Sequence, residues 1–375
     1  YLKNSRTSNS IRNSSWALVS QVIDILLNFV SRTIFIQILG VEYLGINGLF
    51  TNVLMLLSFA ELGIGQAIIY SMYKPLAVND KEKIKSLMAL YSKAYKAIGS
   101  LVFVAGLAMI PFMEYIIKDA PNIKENIIFI YCLFLVNTAL SYFFVYKHSI
   151  IMADQKNYLV VLYRQAFRVI QIILQIIFLM VTREYIAFLL IQIIFTFLNN
   201  AYMAKKADKM YPFLKVGKAK PLERSESQGI FRNIRAMFLY KFGSVVLNCT
   251  DNIMISALIG VGAVGLTSNY LLILTAVTTM AGQIMNGFTA SIGNLNAVGD
   301  TNSKERVFNR IFFLSVWMYG FLSIGLFLYL NPLIDLWLGE EFVLSQSVVF
   351  ALVLHFYINS VHFTAYTYRT TMGLF

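Results

Sequence analysis

The chain has 375 residues, 58% of them hydrophobic and 13% charged, with a formal net charge of +12 and a mean hydropathy of +0.66. A soluble domain carries about 25% charged residues, so the composition excludes a soluble fold, and without the ten-residue alternation of a lipid-facing barrel the class is helical membrane protein. The positive charge is scattered between apolar runs rather than gathered in a patch, which argues against a nucleic-acid partner.

Taken in chain order, the apolar runs predict about ten membrane spans, at roughly residues 14–38, 44–70, 91–114, 127–150, 159–180, 184–204, 236–258, 264–288, 308–330 and 345–367. The first run begins after Arg6 and Arg12 and is too long for the apolar region of a cleavable signal. Cys132 and Cys249 both lie inside apolar runs with no CxxC spacing and no histidine pair nearby, so neither a disulfide framework nor a zinc site is indicated. With the N-terminus inside, nearly all of the 31 lysines and arginines fall in cytoplasmic segments or their helix ends. The exceptions are Lys118, Lys124 and Arg183 in short outer loops and Arg32 within the first span. That asymmetry predicts a cytoplasmic N-terminus.

An internal repeat organises the chain. ILGVEYLGINGLF at Ile38–Phe50 is echoed by LIGVGAVGLTSNY at Leu258–Tyr270, an offset of 220 positions that matches Gly40 with Gly260 and Gly45 with Gly265. The same offset aligns Asn28 with Asn248 and Asp80 with Asp300, and Pro111 matches Pro332 one position out of step. Six spans separate the copies, so both enter the membrane from the same side, as in transporters with parallel repeats. The expected architecture is an all-α polytopic membrane protein. Two parallel pseudo-symmetric six-helix bundles surround a central cavity, the second bundle being incomplete, with four spans and at least two more expected beyond Phe375. Residues 1–204 form the first lobe, 205–235 a basic linker bearing Pro212 and Pro221, and 236–375 the partial second lobe.

Polar residues inside spans are costly in hydrocarbon and mark cavities or helix contacts. Gln21, Asp24, Asn28 and Arg32 form one stripe on the first span, and Asn47, Thr51, Ser58 and Glu61 form another on the second. The seventh span carries Lys241, Ser244, Asn248 and Asp251, the eighth Ser268, Thr275, Thr279 and Asn286. At about 1.5 Å per residue, Asp24 and Glu61 come out near the midplane and Arg32 and Asp251 in the outer half. Asp24 with Glu61 would suit a coupling proton or cation. Arg32 with Asp251 would suit an outer gate, the arginine then free to hold a substrate phosphate. The competing readings are interhelical hydrogen bonding for the carboxylates and snorkelling for Arg32. Arg164 and Arg168, with Gln171 and Gln175, follow one face of the fifth span, where an anionic head group entering from the cytoplasm would meet them. His355, Asn359 and His362 make a weaker stripe in the tenth. No phosphate loop, HExxH, GxSxG or large outer loop is present, so an enzyme is not expected.

The run SRTIFIQILGVEYLGINGLFTNVLMLLSFAELGIGQAIIYSMYKPLAVND, Ser31–Asp80, resembles the amino-terminal signature of oligosaccharide flippases, the Wzx-like branch of the multidrug/oligosaccharidyl-lipid/polysaccharide exporter superfamily. The resemblance implies two six-helix lobes working by alternating access in the bacterial cytoplasmic membrane. It also implies flipping of undecaprenyl-pyrophosphate-linked oligosaccharide units for capsule, O-antigen or exopolysaccharide assembly, with basic cavity residues meeting the diphosphate. Arg32 fits that role, and Arg164, Arg168, Asn28 and Asn248 join it as candidate substrate contacts. No cofactor is implied. Coupling to protons or sodium through Asp24, Glu61 and Asp251 stays open, as does docking of a polysaccharide polymerase. A cation-coupled multidrug exporter of the same superfamily and a membrane-embedded glycosyltransferase or polymer ligase are the alternatives.

Overall fold

The computed structural model describes residues 2–58, 64–117, 123–215, 250–286 and 301–371, with a few single positions between them. All regular structure among the described residues is helical. The first helices are α1 (Leu2–Leu39), α2 (Val41–Leu57), α3 (Ile64–Ala77), α4 (Lys81–Ala108) and the single turn α5 (Met113–Ile116). Next come α6 (Ile127–Tyr142), α7 (Tyr146–Ala153), α8 (Asn157–Thr182) and α9 (Tyr185–Met210). After helical residues 250–258 follow α10 (Val261–Asn286), α11 (Thr301–Leu338) and α12 (Gln346–Thr371). Seven of the described helices are long and apolar enough to cross a membrane, or eight when the bent pair α6 and α7 counts as one. The chain is a multi-pass membrane protein; seven of the expected spans each fall on one such helix, 127–150 falls on the bent pair, and 44–70 falls on α2, too short to cross by itself, and α3, with residues 59–63 outside the described ones. Residues 236–249 of the expected seventh span lie outside them.

The chain divides into two compact units, Tyr1–Val264 and Gly265–Phe375. In the first, α8 packs against α1 and α9, and α6 against α4 and α9. Its core is built on fully buried aromatic and aliphatic side chains, among them Tyr91, Tyr131, Tyr185, Phe50, Ile46 and Leu49. A hydroxyl buried in an apolar bundle needs a partner. Tyr131 donates to the Gly106 carbonyl at 2.9 Å and Tyr91 to the Gly65 carbonyl at 2.7 Å.

The basic connector, read from sequence as a linker from residue 205, starts inside α9, which runs to Met210. Tyr211 and Ile230 are buried in the core cluster at the lysine-rich end of the bundle, and Phe213, Leu214 and Leu222 pack against it. Tyr211 donates to Asp154 Oδ2 at 2.7 Å, an oxygen that also accepts from Lys156 Nζ at 2.6 Å. Burial first, and then the Asp154 carboxylate, push the Tyr211 hydroxyl pKa upward. Leucine and phenylalanine among the lysines were the missed signal: they turn the first part of the connector onto the helices.

The repeat is visible in the backbone. Gly40 (φ 93°) and Gly260 (φ 138°) each end a helix and start the next one residue later, a conformation that a side chain disfavours. Asp80 caps α4 by accepting from Lys83 N at 2.9 Å, and α4 and α11 start at Lys81 and Thr301, in register at the offset of 220. Each unit also ties down a loop with a tyrosine. In the first, Tyr43 donates to Glu125 Oε2 and accepts from Lys124 N, and in the second, Tyr270 donates to Asn331 Oδ1 and accepts from Leu344 N. Lys124 and Leu344 are themselves 220 positions apart, although the tyrosines come from different places on their helices.

Gly45 in α2 approaches Val261 so closely that a Cβ there would stand 2.1 Å from the Val261 carbonyl oxygen, whereas one at Gly262 would meet nothing within 4 Å. Overpacking typically costs 1–3 kcal/mol. Gly45→Ala is therefore expected to lower the unfolding temperature in detergent by several degrees, and Gly262→Ala to leave it unchanged or raise it slightly. Equal melting of the two variants would show that the close approach is not needed.

Candidate functional site

Arg164, Arg168, Gln171 and Gln175 recur every three or four residues of α8 and so share one face of that helix. They line a cavity of about 650 Å³ inside the first unit. Asn28 and Ser31 of α1 and Asn47 of α2 contribute to its wall, as do Tyr142, Val145 and His148 around the α6–α7 junction. Phe188, Gln192, Phe195, Thr196, Asn199 and Asn200 come from α9.

The junction shapes the wall. α6 and α7 meet at 43° across a break in which Phe144 has φ 67°, a costly value for a bulky residue. Broken helices are tolerated at membrane depth only where the freed backbone groups find partners. Here the Ser141 carbonyl accepts from Asn200 Nδ2 at 3.0 Å. Lys147 holds α7 to α9 by donating to both oxygens of Asp208 at 2.7 Å, with both side chains largely buried.

A network of charge and amides stands at the α1 wall. Asp24 Oδ1 accepts from Gln165 Nε2 at 3.0 Å and lies 3.1 Å from Arg168 Nε, while Arg168 Nη2 donates to Asn28 Oδ1 at 3.0 Å. Asp24 and Arg168 neutralise one another, leaving Arg164 as the surplus charge. No aspartate or glutamate lines the cavity among the described residues. His148 Nε2 and Asn199 Oδ1 are buried in its wall without a protein partner. Leaving such atoms unpaired costs about 1–3 kcal/mol each, which a hydroxyl-bearing ligand would recover. The wall thus offers surplus positive charge, amides that both donate and accept, and aromatic faces from Phe167, Phe188 and Phe195.

Of the residues singled out from sequence, Asn28, Arg164 and Arg168 meet in this cavity, and Asp24 borders it through Arg168. Arg32 is half-buried on α1, outside the wall, and Asp251 is exposed. Glu61 and Asn248 lie outside the described residues. Sequence reading missed Gln165, His148 and the α9 stripe Gln192, Thr196, Asn199 and Asn200. The stripe carried the same periodic signal as α8, without a charged residue to draw attention to it.

Helices of spanning length, a broken span and a polar cavity define the class: a multi-pass helical membrane fold. Structural comparison places the fold among the MATE transporters. An inward-facing multidrug resistance MATE family transporter of the MOP superfamily matches over 93% of this chain and 81% of its own, with TM-score 0.67 and 13% identity. A MATE in complex with MaL6 matches over 98% and 84%, with TM-score 0.57 and 13% identity. A mutant of the Vibrio cholerae MATE transporter VcmN matches over 99% and 85%, with TM-score 0.55 and 15% identity. These neighbours are transporters and not enzymes. No known family profile matches the sequence, and no curated protein matches it.

The two adjacent asparagines of α9 separate structural from ligand-facing roles. Asn200→Ala strands the Ser141 carbonyl and is expected to destabilise the protein by about 1–3 kcal/mol. Asn199→Leu removes a buried oxygen that has no protein partner and is expected to be neutral or stabilising. Thermal unfolding of both variants in detergent checks the contrast.

Proposed function

We propose that the protein flips an undecaprenyl-pyrophosphate-linked oligosaccharide from the cytoplasmic to the outer leaflet of a bacterial cytoplasmic membrane, for capsule, O-antigen or exopolysaccharide assembly. The observation that supports this most is the chemistry of the cavity in the first unit: two arginines, seven amide side chains and no lining carboxylate among the described residues. A diphosphate takes charge-assisted hydrogen bonds from guanidinium groups, and sugar hydroxyls match amides, which offer donors and acceptors together. The lipid tail would stay in the bilayer while the head group enters. In this reading the N-terminus is cytoplasmic, so the lysine-rich end of the bundle faces the compartment in which the lipid-linked sugar is made. A polymerase in the same membrane would use the product. Arg32 and Asp251, away from this wall, are assigned to gating on the outer side, and coupling to an ion gradient through Asp24 and Glu61 belongs to the same proposal.

One observation favours a second reading, export of cationic drugs: the Asp24 carboxylate lies within reach of the cavity through Arg168, and one structural neighbour is a multidrug resistance transporter. A cation would have to compete with Arg168 for Asp24 and would meet Arg164 on the way. That repulsion disfavours it.

Flipping of a radiolabelled undecaprenyl-pyrophosphate oligosaccharide by the purified protein in proteoliposomes, with and without proton and sodium gradients, tests the proposal. Protein-dependent movement is expected, lowered at least ten-fold by Arg168→Ala and by Arg32→Ala and partly retained by Arg32→Lys. No movement of several glycans, together with efflux of cationic dyes, would replace the flippase reading with the exporter.

A further inference from the structure

An aromatic ladder runs from the cavity to the lysine-rich end of the first unit between α8 and α9. Phe167 and Phe195 stand in the cavity wall, their ring centroids 6.4 Å apart. Phe167 touches Tyr202 at 5.6 Å, Tyr202 touches Tyr163 at 5.0 Å, and Lys206 Nζ lies 5.4 Å over the Tyr163 ring. From Phe195 to Lys206 the helical rise is about 16 Å. The rings meet at tilts of 67°, 54° and 52°, so no ring is covered by a parallel neighbour in the ladder, and Tyr202 remains 40% exposed.

We infer that this ladder is a carbohydrate-binding track that receives the sugar chain of the ligand and feeds it into the cavity. The inference rests on the flippase reading and names a site within it. A pyranose ring has one apolar face of C–H groups and a rim of hydroxyls. Aromatic ring faces complement the first, while the amides beyond Phe167 complement the second. The track is continuous with the amide-lined cavity, and Arg164 and Lys206 flank it with positive charge suited to a diphosphate or an acidic sugar. A lipid tail sliding along the same rings would be led into a wall of amides and guanidinium, where it loses its apolar contacts. Tyrosines near a helix end also serve as interfacial anchors, but that role needs no continuity with an internal polar cavity and no phenylalanines leading inward.

The test is equilibrium binding to the purified protein in nanodiscs, comparing undecaprenyl pyrophosphate bearing a tetrasaccharide with the same lipid bearing no sugar. Wild type is expected to bind the sugar-bearing lipid at least ten-fold more tightly. Tyr202→Leu and Phe167→Leu, which keep apolar bulk and remove the flat ring, should erase most of that difference, and Tyr202→Phe should keep it. Phe178→Leu, an exposed aromatic of α8 off the ladder, controls for loss of a ring at large and should leave it intact. A sugar-dependent difference that survives in both leucine variants overturns the track and leaves the flippase reading standing, with Tyr163 and Tyr202 as interfacial anchors. Failure of wild type to bind either lipid overturns the flippase reading and the track with it.

Discussion

Everything in this structure answers to one constraint: inside a bilayer a backbone amide or carbonyl has no water to turn to. Continuous helix satisfies it at no further cost, so each departure from helix must be provided for. At Gly40 and Gly260 the provision is conformational, a positive φ that lets one helix end and the next begin one residue later, with the glycine N–H bonded back to Ile36 and Ile255. At the α6–α7 break it is chemical. Phe144 takes up the turn, and Asn200 reaches across from α9 to the Ser141 carbonyl. The cavity lies where that second kind of provision was made, because a polar side chain that can satisfy broken backbone can also line a wet space.

Electrostatics then decide what kind of wet space it is. Among the described residues one carboxylate, Asp24, borders the cavity, and it is engaged by Arg168 and Gln165. Pairing of this kind contributes little to stability, since both partners are half-exposed, but it fixes the guanidinium with one edge on Asp24 and another on Asn28. A fork held in this way is presented to the cavity in one orientation, which favours planar anions over diffuse positive charge. Arg164, one turn away, adds charge that no carboxylate of the wall offsets.

The α8 face was legible because charge and amides recur there at helical spacing, and a guanidinium in an apolar run has few innocent explanations. The loop at Asp80 was read too long, since spans ending at 70 and starting at 91 answer to helices that reach Ala77 and start at Lys81, whereas the end of the first span was legible at Gly40, where α1 stops at Leu39. Two things were not. Partner choice was one: sequence stripes show which face of a helix is polar but not which neighbour it meets, so Arg168 and Gln165 of α8 were not foreseen as partners of Asp24; Glu61, with which it was matched, lies outside the described residues. The other was the connector. A run dense in lysine reads as solvated, yet Tyr211, Leu214 and Leu222 are enough to fold its described part onto the bundle, because a few apolar side chains outweigh the solvation of charges that can still reach water.

The internal repeat shows where backbone requirements and ligand requirements part company. What recurs at the offset of 220 is what the main chain needs: a glycine with positive φ between helices, the start of a helix at Lys81 and at Thr301, and a loop N–H held by a tyrosine hydroxyl. What does not recur is the ionisable pair of the first span. The positions of Asp24 and Arg32 are held by Ser244 and Asn252 in the second copy, and that of Asn47 by Thr267. Polarity survives at these positions, while the second copy carries its charges elsewhere on the span, at Lys241 and Asp251. A backbone pattern repeated with its charges at different positions in each copy keeps the helix starts in register while the ionisable residues diverge, so the repeat is read from the glycines and helix ends and not from the charged residues.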